Sequence, residues 1–78
     1  MKEEYLQKYL FVKNIETALL LDGKNNHLEF IEYIFDDDIE DEVLIVAFKN
    51  GLDKKILVTG NSNEHNLKEI VRAVYGNI

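Results

Sequence analysis

Residues 43–58 have the sequence VLIVAFKNGLDKKILV. Apolar and β-branched residues fill both ends of this stretch, which predicts strands at 43–48 and 56–59. The turn between them contains Gly51, and glycine, which has no Cβ, fits the left-handed position of a three-residue hairpin loop with a bulge. The sequence therefore predicts an antiparallel β-hairpin over about 43–59.

The same stretch predicts the register of the hairpin. We expect Phe48 to pair with Leu52. Leu44 then lies opposite Ile56, and a slip of one residue would mix Lys and Asp into the apolar face, so burial favours this register. The apolar face of the hairpin then consists of Leu44, Val46, Phe48, Leu52, Ile56 and Val58.

A long helix is predicted at the start of the chain. Residues 3–21 lack Gly and Pro, are rich in helix-forming residues and precede Gly23, a residue type that commonly follows a helix. An alternative interpretation ends a shorter helix near Lys13 and forms a strand over 17–21, with 22–27 as a hairpin loop. The apolar face of the longer helix would consist of Tyr5, Tyr9, Val12, Ile15 and Leu19, while Leu10, Phe11 and Leu21 point elsewhere.

A second helix is predicted over 62–75, with Asn61 or Ser62 as its N-cap and Gly76 at its end. Its apolar stripe has the spacing i, i+3, i+4, i+7 and consists of Leu67, Ile70, Val71 and Val74. We expect Val71→Asp to unfold the domain, because it would place an unpaired charge between this helix and the sheet.

Residues 28–35 are rich in aromatic and β-branched residues and lie between polar clusters, which predicts a further strand. The order of elements is therefore α-β-β-β-α. We expect one small α+β domain over 1–78, with a three-stranded antiparallel sheet packed with two helices. Among the aromatic residues, those expected in the core are Tyr9, Phe30, Phe35 and Phe48.

The predicted sheet is apolar on both faces. In its first strand, Ile31, Tyr33 and Phe35 alternate with Leu28, Phe30 and Ile34, and in the hairpin Val43, Ile45, Ala47 and Leu57 oppose the main apolar face. Either each helix covers one face, or both helices cover the same face and the other binds a partner or a second copy of the chain.

Composition narrows the classes of function. The chain has 78 residues, a formal net charge of −6 and no Cys, which excludes disulfides and thiolate metal sites. Its acidity opposes direct binding to nucleic acid, which depends on displacing counterions from phosphates. The acidic N-terminus does not fit a signal peptide, and no window is apolar enough for a membrane span. We therefore expect a cytoplasmic protein that binds no membrane and needs no cofactor.

The densest feature of the sequence is acidic: residues 29–42 contain eight of the fifteen acidic residues and no basic one. A calcium loop would need a Gly at the turn and a Glu at the far end, and this run lacks both, so we expect no metal site. The run either imitates the phosphates of nucleic acid and binds a basic protein, or is a solvated turn that protects a sheet edge. The first interpretation predicts partner-binding residues Asp36, Asp37, Asp38, Glu40, Asp41 and Glu42.

No catalytic site is predicted. Ser62 and His65 have the spacing of a nucleophile and a base on one helix, but no acid orients the imidazole and no oxyanion motif is present. His27 lies in a polar loop far from His65 in the sequence, so we expect no metal site formed by the two histidines. The loop at Gly60 precedes a helix N-terminus, which attracts anions, but it lacks the glycine and lysine pattern of a phosphate loop.

A short, acidic, Cys-free chain rich in Lys and Asn resembles many small proteins of phages and mobile elements in low-GC bacteria, some of which are anti-CRISPR or other inhibitors that mimic DNA. The resemblance is one of composition, covers the whole chain and carries no site residue across. We expect a non-enzymatic protein-binding module, most specifically an inhibitor or regulator of a basic nucleic-acid-handling protein. The alternatives are a homodimeric interaction protein that uses an apolar sheet face and, less favoured, a small-ligand or anion binder at the Gly60 loop.

Overall fold

The elements of the fold follow the predicted order. The computed structural model describes residues 3–23, 26–58 and 62–76. Its helices are α1 (Glu3–Leu21) and α2 (Asn63–Tyr75), and its strands are β1 (Leu28–Asp36), β2 (Asp41–Phe48) and β3 (Asp53–Leu57). This α+β arrangement confirms the predicted fold class, and the alternative strand over 17–21 is wrong because those residues belong to α1.

The sheet has the strand order β1-β2-β3, and both neighbouring pairs are antiparallel. Leu44 lies opposite Ile56, so the predicted register of the hairpin is confirmed. Gly51 takes a φ of 90°, the left-handed conformation that such a turn favours. β3 begins earlier than predicted, at Asp53, because backbone pairing continues up to the turn although the side chains there are exposed. Thr59, the predicted end of this strand, lies outside the described residues.

A β-bulge at Glu29 changes which residues of β1 share a face. Leu28 lies opposite Phe48 but Phe30 lies opposite Ala47, so one residue of β1 is extra. The extra residue reverses the alternation and puts Leu28 on the face of Phe48, away from Phe30. The prediction that Leu28 shares a face with Phe30 is therefore wrong.

Both helices pack against the same face of the sheet. The core consists of Leu28, Ile31, Tyr33, Leu44, Val46, Phe48 and Val58 from the sheet side, Val12 from α1, and Ile70, Ala73 and Val74 from α2. The rest of the predicted face of α1 packs against this core and is partly buried: Tyr5, Tyr9, Ile15 and Leu19. Among the described residues no helix lies on the opposite face, so the helices follow the second of the two predicted arrangements. Binding of a partner or a second copy to that face stays a prediction.

Polar side chains of α1 close the outer edge of β1. Lys13 Nζ donates to the Ile31 carbonyl at 3.1 Å, and the Ile31 N–H donates to Glu16 Oε2 at 2.8 Å. The Tyr5 hydroxyl donates to the Tyr33 carbonyl at 3.1 Å. These backbone groups would otherwise lie open on an edge strand, where another chain could pair with them. α1 therefore protects the sheet edge as well as covering the core.

α2 is rotated about its axis relative to the predicted apolar stripe. Ile70 and Val74 are fully buried, as predicted, but Leu67 and Val71 are 38% and 40% exposed. Ala73, which the predicted stripe did not include, is buried beside Ile70 and Val74. The expectation that Val71 lies between helix and sheet is wrong, because small and polar residues occupy part of the buried face.

Several apolar residues predicted to be buried are exposed. Tyr9 packs against the core and Phe48 is buried, as expected, but Phe30 and Phe35 are exposed. Phe30 faces away from the helices because it precedes the core residue Ile31 in the strand and lies opposite Ala47, and Phe35 lies near the end of β1. Leu52, predicted on the apolar face of the hairpin, is also exposed, since it lies in the turn before β3.

The rotation of α2 predicts that substitutions at two neighbouring positions differ greatly in their effect on stability. Ile70→Asp should abolish folding, because an unpaired buried charge costs several kcal/mol against a total stability of about 4–12 kcal/mol for a chain of this length. Val71→Asp should change stability by about 1 kcal/mol or less, as at other partly exposed positions. Thermal melts followed by circular dichroism test both, and unfolding by Val71→Asp would contradict the position of α2.

Candidate functional site

Residues 36–42 of the acidic run form the end of the β1–β2 hairpin. Asp36 pairs with Asp41 as the last residues of the ladder, and a turn over 37–40 joins them. Glu40 takes a φ of 55°, the left-handed conformation that closes the turn. The run is therefore part of the sheet at both ends, whereas the sequence predicted a solvated connection between strands.

Asp36 is engaged within the protein. Its Oδ2 lies 3.1 Å from Lys55 Nζ, and its Oδ1 accepts the Asp38 N–H at 2.9 Å. The hydrogen bond from Lys55, followed by that from the Asp38 backbone, lowers the pKa of the Asp36 carboxyl. This carboxylate ties the end of β1 to β3 across the intervening strand and fixes the start of the turn.

Glu42 and Asp41 are also used locally. Glu42 accepts a hydrogen bond from the hydroxyl of Tyr33, which is fully buried on the helix-covered face. Burial, and then the hydrogen bond to Glu42, raises the pKa of Tyr33 far above its ordinary value. Asp41 accepts the backbone N–H of Glu42 at 2.8 Å. Both carboxylates are partly buried, so the structure separates them from the exposed acids of the turn.

The remaining three predicted residues, Asp37, Asp38 and Glu40, have exposed side chains in the turn. We call this group the acidic tip. The six predicted partner-binding residues thus fall into two groups. Three acids are exposed in the turn, and the other three carboxylates make contacts within the fold. Their role in binding a partner stays a prediction.

The sheet face opposite the helices is largely apolar, and we call it the open face. Its apolar residues are Phe30, Ile34, Val43, Ile45, Ala47 and Leu57, and its charged residues are Glu32, Asp36, Asp41, Asp53 and Lys55. Val43 and Ala47, on the central strand, are buried, while Phe30, Ile34 and Leu57 on the outer strands are exposed. Because Asp36 belongs to it, the open face ends at the acidic tip.

Ser62 caps α2, as predicted, but the expectation that no acid lies beside the His65 imidazole is wrong. Ser62 Oγ accepts the backbone N–H of His65 at 3.1 Å, which makes Ser62 the N-cap of α2. The His65 imidazole lies 3.5 Å from a Glu69 carboxylate oxygen. His27 stacks on Phe48, and its Nε2 lies 3.0 Å from the carbonyl of residue 74. The loop at Gly60 and the alternative cap at residue 61 lie outside the described residues.

Asn66 of α2 is fully buried. Neither its Oδ1 nor its Nδ2 has a hydrogen-bond partner, and the buried Oδ1 of Asn63 has none either. A buried polar group without a partner costs about 1–3 kcal/mol. Sequence reasoning missed this residue, although its position one turn before Ile70 places it on the buried face of α2.

Comparisons with other proteins add no functional assignment. No protein-family model, curated protein or solved structure matches the chain. Across residues 3–23, 26–58 and 62–76, no group of three or more His, Cys, Asp or Glu side chains is arranged to hold a metal ion. No helix in these ranges is long and apolar enough to cross a membrane.

The lowered pKa of Asp36 predicts a pH dependence of stability. The pKa of Asp36 in the folded protein lies below the ordinary value of 3.8. Its contribution to the free energy of unfolding is therefore present above about pH 4 and is lost as the pH falls through the folded-state pKa. Asp36→Asn should therefore reduce stability at pH 7 and remove part of the further loss on acidification. Urea unfolding at pH 7 and pH 3 measures this. Asp37→Asn is the control, and an equal effect of the two substitutions would contradict the assignment.

Proposed function

We propose that the chain is a cytoplasmic, non-enzymatic protein-binding module, most specifically an inhibitor or regulator of a basic protein that handles nucleic acid. The observation that carries the proposal is the acidic tip, where Asp37, Asp38 and Glu40 are exposed at the end of a hairpin. No basic residue lies between 29 and 42. In the positively charged groove of such a partner, these carboxylates would take the place of the phosphates of nucleic acid.

The base of the tip supports the proposal because it limits motion. The ion pair of Asp36 with Lys55 and the hydrogen bond to Asp38 hold the turn at its first residues. The hydrogen bond of Glu42 with the buried Tyr33 anchors the returning strand. Ordering of loops and side chains opposes binding, so carboxylates on an anchored turn lose less entropy on docking than those of a free acidic tail.

The net charge of the chain supports the same class of partner. A charge of −6 on 78 residues produces a field that speeds the approach of a basic protein and repels nucleic acid. Such an effect acts mainly on the association rate and weakens as salt shortens the screening length below about 10 Å.

The test compares two variants of equal charge after affinity capture from the source cell has identified a partner. The first, Asp37→Asn/Asp38→Asn/Glu40→Gln, neutralises the tip, and the second, Glu3→Gln/Glu29→Gln/Glu64→Gln, neutralises three exposed acids elsewhere. With purified partner at low salt, the tip variant should associate about tenfold or more slowly than the control variant. Equal association rates of the two variants, both folded, would refute the proposal.

A second candidate function is a homodimer formed through the open face. The packing of both helices against one face of the sheet favours it, since an uncovered apolar sheet face is a common interaction surface. Sedimentation equilibrium distinguishes the candidates: a homodimer has twice the 9.1 kDa mass of the chain, and Ile34→Asp should return it to the monomer. A monomer at all concentrations tested would exclude this candidate.

A further inference from the structure

We infer that the open face docks a partner protein that presents an apolar patch bordered by Lys or Arg, with the acidic tip meeting part of that basic border. The inference rests on the proposed function and adds the surface and the chemistry of the partner. Three features of the open face carry it: continuity of the apolar residues, the sign of the charges around them, and the area.

The apolar residues of the open face are neighbours across all three strands. Ile34 lies opposite Val43, which in turn lies opposite Leu57, and Phe30 lies opposite Ala47. Phe30, Ile34 and Leu57 are 39%, 36% and 61% exposed. A sheet face that meets water normally alternates polar residues with the buried ones of the other face. This face instead has an apolar band across its width, which contact with another apolar surface would cover.

The border of this band is acidic. The open face has one cation, Lys55. It has four carboxylates, which are Glu32, Asp36, Asp41 and Asp53. Lys55 is paired with Asp36, and Glu32 lies 3.5 Å from Lys13 of α1. The excess of acids therefore lies toward Asp41 and Asp53, and the chain continues from Asp36 directly into the acidic tip. A partner with Lys or Arg around an apolar centre complements this arrangement, because apolar contact supplies affinity while the charges set orientation and association rate.

A second copy of the chain complements the open face less well. It would bring an equally acidic border against the first. The three strands are nine, eight and five residues long, which gives a flat area of about 360 Å² per copy at about 4.8 Å per strand and 3.4 Å per residue. Stable interfaces need about 800 Å² per partner. A larger partner that covers the acidic tip as well gains the missing area.

The experiment titrates ¹⁵N-labelled protein with three synthetic peptides of equal length while amide shifts are recorded. The first is an amphipathic Leu–Lys helix, the second has Ser in place of Leu, and the third has Glu in place of Lys. We expect the Leu–Lys peptide to shift Phe30, Ile34, Ile45 and Leu57 together with the tip, the Ser–Lys peptide to shift the tip alone, and the Leu–Glu peptide to shift neither.

Matched variants locate the apolar contact. Phe30→Ser/Leu57→Ser should weaken binding of the Leu–Lys peptide about tenfold or more. Leu6→Ser/Leu10→Ser, at positions of α1 that are 52% and 51% exposed, should leave it unchanged. Binding that maps to the helices, binding at the tip alone, or self-association through the open face would each overturn the inference.

The outcomes separate this inference from the proposed function. If both cationic peptides shift only the tip, the docking surface is wrong and the acidic tip keeps its proposed role. If the Leu–Glu and Leu–Lys peptides bind the open face with equal affinity, the inference that the partner has Lys or Arg around its apolar patch is wrong. If neither cationic peptide shifts the tip, the proposed function fails as well.

Discussion

The position of α1 against β1 depends on the backbone of Ile31. Both its carbonyl and its N–H form hydrogen bonds with side chains of α1. Its carbonyl accepts from Lys13 and its N–H donates to Glu16, while its side chain lies in the core. Burial lowers the pKa of Lys13, but the charges of Glu16 and Glu32 more than offset this and raise it, so the amine stays a cation. These contacts place α1 along the edge of the sheet, on the side where α2 packs, and within residues 3–23, 26–58 and 62–76 no helix lies on the opposite face.

The carboxylates of the acidic run divide according to their strand positions. Those in the ladder alternate between the two faces: Asp36 reaches Lys55 on the open face, and Glu42 reaches Tyr33 on the helix side. Those in the turn belong to neither face and lie in water. A single stretch of similar residues thus contains structural contacts and an exposed charged surface, and the pleat of the sheet assigns each residue to one or the other.

The sequence predicts the hairpin well because two independent constraints agree. Gly51 fixes the turn, and the burial of Leu44 and Val46 fixes the register. It fails at Glu29, because a bulge leaves the composition of a strand unchanged while reversing its faces. It fails in α2 because Asn66 takes a buried position that an apolar pattern assigns to Leu67 or Val71. For the candidate site, sequence locates the acids but not which are free to bind, since Lys55 and Tyr33 come from other strands.

The closure of β1 by α1 also bears on how the chain is made. α1 leaves the ribosome before the strands and is apolar on several sides, with Leu10, Leu20 and Leu21 exposed even in the folded protein. Its backbone partners at Ile31 and Tyr33 are synthesised later, and the core strand β2 later still. Until then the nascent helix has no sheet to pack against. A chain whose α1 is displaced by a bulky fusion would expose the outer edge of β1, a nine-residue strand with three aromatic residues and no Gly or Pro. An open strand edge of this kind is a template for pairing with another chain.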